Sequence, residues 1–170
     1  PIGRTTRGNP VSYVHAFDGI RYLFAETPEA SVAKLSYKDF SFNSGEGRCP
    51  VCGGAGTEHV EMQFLSDVYL PCPACHGKRY RDSVLEVKIT LRGKQYNIAE
   101  VLDLTVDEAC ELFSHVPNVM HGLRHLQSVG LGYLTLGQPL TTLSGGETQR
   151  LKLASHLACL LYTSPSPRDA

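Results

Sequence analysis

Cys49-Pro-Val-Cys52-Gly-Gly-Ala-Gly56 and, with nineteen residues between Cys52 and Cys72, Cys72-Pro-Ala-Cys75-His-Gly-Lys-Arg79 decide how the middle of this chain folds. Two residues between paired cysteines let the backbone turn and present both sulfurs to one centre. Two such knuckles at the ends of a hairpin complete a tetrahedron, the arrangement of a structural zinc site with Zn–S bonds of about 2.3 Å. Cys49, Cys52, Cys72 and Cys75 are therefore read as ligands of one zinc. A closed four-thiolate set leaves no position for chemistry, so this metal holds shape. Gly53, Gly54, Gly56 and Gly77 are expected to supply the tight backbone around it. A redox dithiol explains one Cys-x-x-Cys but not two matched ones, and disulfides need an oxidising compartment, for which no secretory signal is visible. His76 is expected to face solvent and Cys110, on an apolar helix stripe, to lie in the core.

Between the knuckles, His59–Phe64 and Asp67–Leu70 alternate apolar and polar residues as half-buried strands do, and pair as a hairpin around Leu65-Ser66. Upstream, residues 1–15 form an irregular connector rich in Gly, Pro, Thr and Arg. Residues 18–30 read as a short helix with Ile20, Leu23 and Phe24 on one face, closed by Thr27-Pro28, and Ser36–Phe42 as a strand. Downstream, Val84–Thr90 and Gln95–Ile98 form a second hairpin turned at Arg92-Gly93-Lys94. Thr105-Val-Asp-Glu108 is a capping box opening a helix with Val106, Ala109, Cys110 and Phe113 on its apolar face, ended before Pro117. A helix over 118–129 stops at Gly130, Gly132–Leu140 is a loop, and a last helix after Ser144 turns Leu151, Ala154, Leu157 and Ala158 inward.

The chain has 170 residues, 42% apolar and 19% charged, a globular rather than a disordered composition. Its net charge of −1 gives no global basic footprint, so any nucleic-acid binding uses local patches. No apolar run approaches the ~20 residues of a membrane span. The opening, Pro1-Ile-Gly-Arg4, reads as the middle of a longer sequence. Cys159–Ala170 switches to a Ser/Pro tail resembling translated sequencing adaptor, and is set aside as non-native.

Leu143-Ser-Gly-Gly-Glu-Thr-Gln-Arg-Leu-Lys-Leu-Ala154 is the second informative stretch. Ser144, Gly145, Gly146 and Glu147 stand where a helix begins. Unpaired N–H groups, a positive dipole end and a hydroxyl converge there on an anion. Ser-Gly-Gly alone also describes a simple cap; the full string is longer than a cap needs. Missing are a Gly-x-x-x-x-Gly-Lys-Ser/Thr phosphate cradle and an apolar strand ending in an acidic pair for Mg²⁺. The chain alone is therefore not expected to hydrolyse ATP, and no catalytic residue is assigned.

These residues resemble the UvrA family, the ABC-type ATPases that recognise DNA damage in bacterial nucleotide excision repair. The likeness covers about residues 1–158. It is carried by PIGRTTRGNP at 1–10, FSFN at 40–43, CPVCGGAG at 49–56, EMQFLSDVYLPCPACHGKRY at 61–80, EVLDLTVDEA at 100–109 and LGQPLTTLSGGETQRLKLA at 136–154. The resemblance implies an α+β or α/β fragment of the second ABC ATPase half, with the signature helical region and an inserted four-cysteine zinc hairpin. The divisions would be ATPase segment and basic connector at 1–46, zinc module at 47–82, hairpin and signature region at 83–158, and the odd tail at 159–170.

By the same resemblance Ser144, Gly145, Gly146 and Glu147 bind ATP, shared with Mg²⁺ and with parts of the protein outside this sequence. A homodimer would bind damaged double-stranded DNA and hand it to a UvrB-like helicase in the cytoplasm, with no membrane partner. Arg4, Arg7, Lys38, Arg48, Lys78, Arg79 and Arg81 are the implied DNA contacts. Ser36-Tyr-Lys-Asp39 departs from the family by putting an acid where a cation is expected. Two alternatives stay open: a zinc-dependent protein-binding module of DnaJ type, whose Cys-x-x-Cys-x-Gly-x-Gly unit the first knuckle matches and the second lacks at Arg79, and a UvrA-like paralogue in drug resistance.

Overall fold

The computed structural model describes residues 8–162, and side chains to residue 160. Arg4 and Arg7, and most of the set-aside tail, lie outside them. The fold is mixed α/β with two small sheets, each a single antiparallel hairpin. The chain divides into two compact units, with the boundaries falling after Ile20 and after Val101.

The first unit takes its described residues from Gly8–Ile20 and from Leu102 onward. It holds α1 (Pro10–Tyr13) and the start of α2 (Phe17–Ala25). The sequence returns to it at the end of α5 (Ile98–Leu102), then runs through α6 (Val106–Leu112), α7 (Pro117–Ser128) and α8 (Gly145–Tyr162). Helix α6 begins as expected: Thr105 Oγ1 accepts from Glu108 N at 3.1 Å, and Glu108 Oε1 accepts from Thr105 N at 2.9 Å. Val106, Ala109, Phe113, Val119, Leu123, Leu126, Leu151 and Ala154 are fully buried, so α6, α7 and α8 share one apolar core. Cys110 belongs to that core, where burial pushes its thiol up to about 11. Two polar ties fix α8 further. Ser155 Oγ donates to the Tyr13 carbonyl at 3.1 Å, and His121 Nε2 lies 3.0 Å from the Ala158 carbonyl. The helix continues to Tyr162, so the expected break at Cys159 is displaced.

The second unit, Arg21–Val101 among the described residues, carries α3 (Pro28–Val32), a 3-10 turn (Tyr37–Phe40), β1 (Thr57–Val60), β2 (Val68–Pro71), α4 (Asp82–Leu85), β3 (Ile89–Leu91) and β4 (Lys94–Tyr96). The expected helix over 18–30 is two helices. Thr27 caps the second through an Oγ1 that accepts from Ala30 N at 3.1 Å, with Pro28 in its first turn. The expected strand over Ser36–Phe42 is the 3-10 turn. Asp39 is the reason: its carboxylate accepts from Ser36 N at 2.8 Å, a local bond that competes with an extended ladder. Val84 and Leu85, expected in a strand, lie in α4, while the turn at Arg92-Gly93 pairs Leu91 with Lys94 as anticipated. Phe24 stacks on Phe40 at 5.6 Å between ring centroids, and Phe42 meets Tyr80 edge-on at 6.3 Å. The Tyr80 hydroxyl donates to the Phe40 carbonyl at 2.7 Å, and burial raises its pKa strongly.

Candidate metal centre and phosphate-facing loop

The two knuckles are built on one plan. In each, the first, second and fourth residues after the second cysteine have left-handed backbone: Gly53, Gly54 and Gly56 at φ +62, +91 and +78, and His76, Gly77 and Arg79 at +54, +88 and +76. The hydrogen bonds repeat as well. Gly53 N donates to the Cys49 carbonyl and His76 N to the Cys72 carbonyl, both at 2.8 Å. Gly56 N donates to Cys52 Sγ at 3.2 Å and Arg79 N to Cys75 Sγ at 3.4 Å. Each knuckle also holds the other, through Cys72 N to the Gly56 carbonyl at 3.0 Å and Cys49 N to the Arg79 carbonyl at 2.9 Å. The plan is thus a local twofold repeat. At Gly54 the left-handed backbone coincides with a close approach, because a Cβ there would land on the Phe42 carbonyl oxygen.

This repeat brings Cys49, Cys52, Cys72 and Cys75 together, all four sulfurs within 4.8 Å of one another. Cys49 and Cys72 are 3.9 Å apart, Cys52 and Cys75 3.7 Å. A tetrahedron with arms of about 2.3 Å has edges of about 3.8 Å, so the donors fit zinc without rearrangement. In the free thiols the N–H of Cys75, aimed at Cys72, lowers that thiol to about 7, whereas burial pushes Cys75 up to about 12. Backbone N–H groups directed at ligand sulfurs favour their thiolate forms and orient them for a metal. His76 is exposed, as expected.

The hairpin that the knuckles support differs from its expectation. Strands β1 and β2 pair Thr57 with Pro71 through Val60 with Val68, but neither strand has a buried residue. A two-stranded ribbon has no third layer to cover either face. Its loop carries Phe64, 90% exposed, and Leu65 beside it. The ribbon's charges are Glu58, Glu61 and Asp67, with no Lys or Arg between Thr57 and Pro71. Asp67 binds His59 Nε2 at 2.8 Å, and that bond lowers its pKa.

The candidate cations gather at the base instead. The Gly45–Arg48 turn backs onto the Lys38 carbonyl, and its Gly47 carbonyl accepts from Arg81 N at 2.9 Å, so Lys38, Arg48 and Arg81 share one neighbourhood. Lys38, Lys78 and Arg81 are exposed. Arg48 is half-buried, with Nε on the Gly45 carbonyl at 3.0 Å. Arg79 is only 7% exposed; its guanidinium lies 4.6 Å above the Phe42 ring and donates to the Gly54 carbonyl at 3.3 Å. It ties the two knuckles to the aromatic core.

In the other unit, α8 opens on Ser144-Gly145-Gly146-Glu147. Ser144 is its cap: Ser144 Oγ accepts from Glu147 N at 3.2 Å, and Glu147 Oε1 accepts from Ser144 N at 2.9 Å. The serine hydroxyl accepts in this box, and its own proton remains available to a ligand. Gly145 and Gly146 are the first two helical residues, whose N–H groups have no intrahelical acceptor. Both are exposed, neither has positive φ, and a Cβ on either would meet nothing within 4 Å. Nothing among the described residues requires glycine there. One residue that the sequence did not single out joins the group: the Tyr133 hydroxyl donates to Glu147 Oε2. Only the tertiary placement of the 131–137 loop reveals it.

No family model matches the chain. UvrABC system protein A of Streptococcus pyogenes serotype M3 is 54% identical over 157 residues, 92% of this chain and 16% of that protein. UvrABC system protein A of Methanothermobacter thermautotrophicus is 54% identical over 158 residues, 93% of this chain and 16% of that protein. The crystal structure of UvrA2 from Deinococcus radiodurans superposes with a TM-score of 0.85 at 52% identity, over 92% of this chain and 19% of that one. The chain thus spans about a sixth of the length of these curated relatives. No helix among the described residues is long and apolar enough to cross a membrane. A co-chaperone zinc module would leave unexplained a likeness extending over nine-tenths of the sequence, and on that likeness the chain belongs to the UvrA family.

Proposed function

We propose that this segment supplies the zinc module and the signature helix to the second ATPase half of a DNA-damage recognition protein of nucleotide excision repair. One observation carries the reading. At Gly145 and Gly146, two exposed first-turn amides and two absent side chains have no use among the described residues, so the surface they clear is read as serving something that comes from outside them. An anion suits that surface, because the helix dipole and the first-turn amides favour negative charge there and the Ser144 hydroxyl keeps a proton to donate.

The anion is the γ-phosphate of an ATP whose cradle lies on another module. ATP then bridges two modules and hydrolysis releases them. The segment contributes Ser144, Gly145 and Gly146 as phosphate contacts and Glu147 as the carboxylate that fixes the cap; Mg²⁺ and the attacking water belong to parts outside it. Cys49, Cys52, Cys72 and Cys75 hold a zinc that supplies rigidity and no reaction step.

The protein works in the cytoplasm as a homodimer on damaged duplex DNA, passing it to a UvrB-like helicase. Exposed Lys38, Lys78 and Arg81, with Arg48 beside them, offer charge to phosphates at the base of the module, while the acidic ribbon does not. Arg4 and Arg7 extend the same reading outside the described residues. A sensor of chemically different lesions reads deformability rather than base identity. The test is retention of lesion-containing and undamaged duplexes by a full-length UvrA protein carrying this segment, with and without ATP. Tighter, nucleotide-dependent retention of the lesion duplex is expected; equal retention of both, indifferent to ATP, overturns the reading.

A further inference from the structure

We propose that Tyr133 is a positioning residue for the phosphate-facing loop: its hydroxyl locks the carboxylate of Glu147, which in turn locks the backbone of Ser144. The inference rests on the reading of that loop given above.

The geometry is a relay of three groups. Tyr133 donates to Glu147 Oε2, and Glu147 Oε1 accepts from Ser144 N at 2.9 Å. Ser144 Oγ closes the circuit by accepting from Glu147 N at 3.2 Å. Both carboxylate oxygens are thereby engaged. Without Tyr133 the carboxylate keeps one anchor and is free to pivot about it, carrying a negative charge across the surface that the γ-phosphate must approach. With Tyr133 both oxygens are anchored and that charge stays in place. The Tyr133 hydroxyl bond to Glu147 is the largest cause of the carboxyl's lowered pKa, so the side chain stays anionic and an acceptor.

Tyr133 is suited to this task and to little else. Its side chain is 55% exposed, so the ring contributes little to the core. The backbone beside it is fixed: the Leu134 carbonyl accepts from Val106 N at 2.8 Å, and Leu136 N donates to the Leu104 carbonyl at 2.9 Å. A rigid loop anchored on α6 thus sets the cap of α8. Arg150 reinforces the arrangement from the next turn, where its Nε donates to the Gly146 carbonyl at 3.4 Å.

The experiment compares Tyr133→Phe, Glu147→Ala, the double variant and Gly146→Asp in a full-length UvrA protein carrying this segment, measuring steady-state ATP hydrolysis. Tyr133→Phe is expected to lower kcat about three- to tenfold, the worth of one hydrogen bond, with KM for ATP within about twofold because the cradle on the other module dominates binding. In the Glu147→Ala background the same change is expected to do nothing more, since Tyr133 acts through Glu147. Amide exchange at Ser144 in this chain should quicken in Tyr133→Phe. Normal turnover in Tyr133→Phe, full additivity with Glu147→Ala, or unchanged Ser144 exchange overturns the inference. Gly146→Asp separates the two levels: lost turnover there with normal Tyr133→Phe defeats the inference alone, and retained turnover there defeats the reading of the loop itself.

Discussion

In the metal centre the demand for glycine comes from inside the chain. Gly54 holds φ +91 against the Phe42 carbonyl, and the amides of Gly56, Arg79, Cys49 and Cys72 are aimed at a sulfur or at the opposite knuckle. At the head of α8 the described residues make no such demand, since Gly145 and Gly146 hold ordinary helical backbone in open space; on the proposed function it comes from outside. The centre is closed, its four sulfurs within 4.8 Å of one another, and the expected zinc would complete it. The loop is open, and its purpose is legible only from what it leaves unfilled. Glycines of the two kinds should therefore fail differently, one in stability and the other in activity.

The largest effect that sharpens this contrast is loss of the metal. Structural zinc sites in small modules carry about 10–16 kcal/mol of apparent binding energy, more than an uncovered two-stranded ribbon replaces. Metal analysis is expected to find about one zinc per chain. Chelation should abolish amide protection in Cys49–Tyr80 and leave α7 and α8 protected. Protection in both regions that ignores the chelator would break the distinction.

Gly54→Ala comes next. A left-handed L-residue costs about 1–2 kcal/mol, and crowding a packed backbone adds about 1–3 kcal/mol. Thermal unfolding and zinc content should both fall; a native melting temperature would show that the knuckle yields. A moderate effect is expected on DNA. Replacing Lys38, Lys78 and Arg81 by alanine should weaken binding by a full-length UvrA protein carrying this segment alike on all sequences. It should flatten the log–log salt slope by about 1 for each phosphate no longer neutralised, with zinc retained. Substituting Arg79 instead should cost metal, because its guanidinium is used inside the module.

The smallest effect is on pH. Glu147 titrates below its ordinary 4.5 because Tyr133 and the Ser144 N–H bind its ionised form. The cap's contribution is thus fully present above that pH and is lost as the pH falls through the lowered folded value. Ser144 amide protection, its exchange taken relative to the intrinsic rate at each pH, should fall over that acid window and stay flat from neutrality down to it. A change centred near neutrality would assign the titration to another group.

The knuckles were legible because a metal's geometry is written in spacing alone: Cys-x-x-Cys, a hairpin, Cys-x-x-Cys. The box at Thr105 and Glu108 was legible for the same reason, being local. What failed was what depends on neighbours. Tyr37, Phe40 and Phe42 alternate like a strand, yet Asp39 reaches back to Ser36 and curls the segment. The alternation in β1 and β2 has the period of a half-buried strand, but no layer covers either face. Arg79 read as a surface cation because nothing in the sequence places Phe42 beneath it. Tyr133 reads as one aromatic in a leucine-rich loop until that loop is folded against α6.

The most direct test of the closed-versus-open account is Gly146→Asp in a full-length UvrA protein carrying this segment, with melting temperature and ATP turnover measured on the same preparation. The space around Gly146 is empty, and an acid in the first turn suits the helix dipole, so the melting temperature should hold or rise slightly. The same carboxylate stands where the γ-phosphate must come, so turnover should fall to background. A lowered melting temperature would show that the glycine serves the fold, and turnover kept at the wild-type rate would show that no phosphate visits this surface.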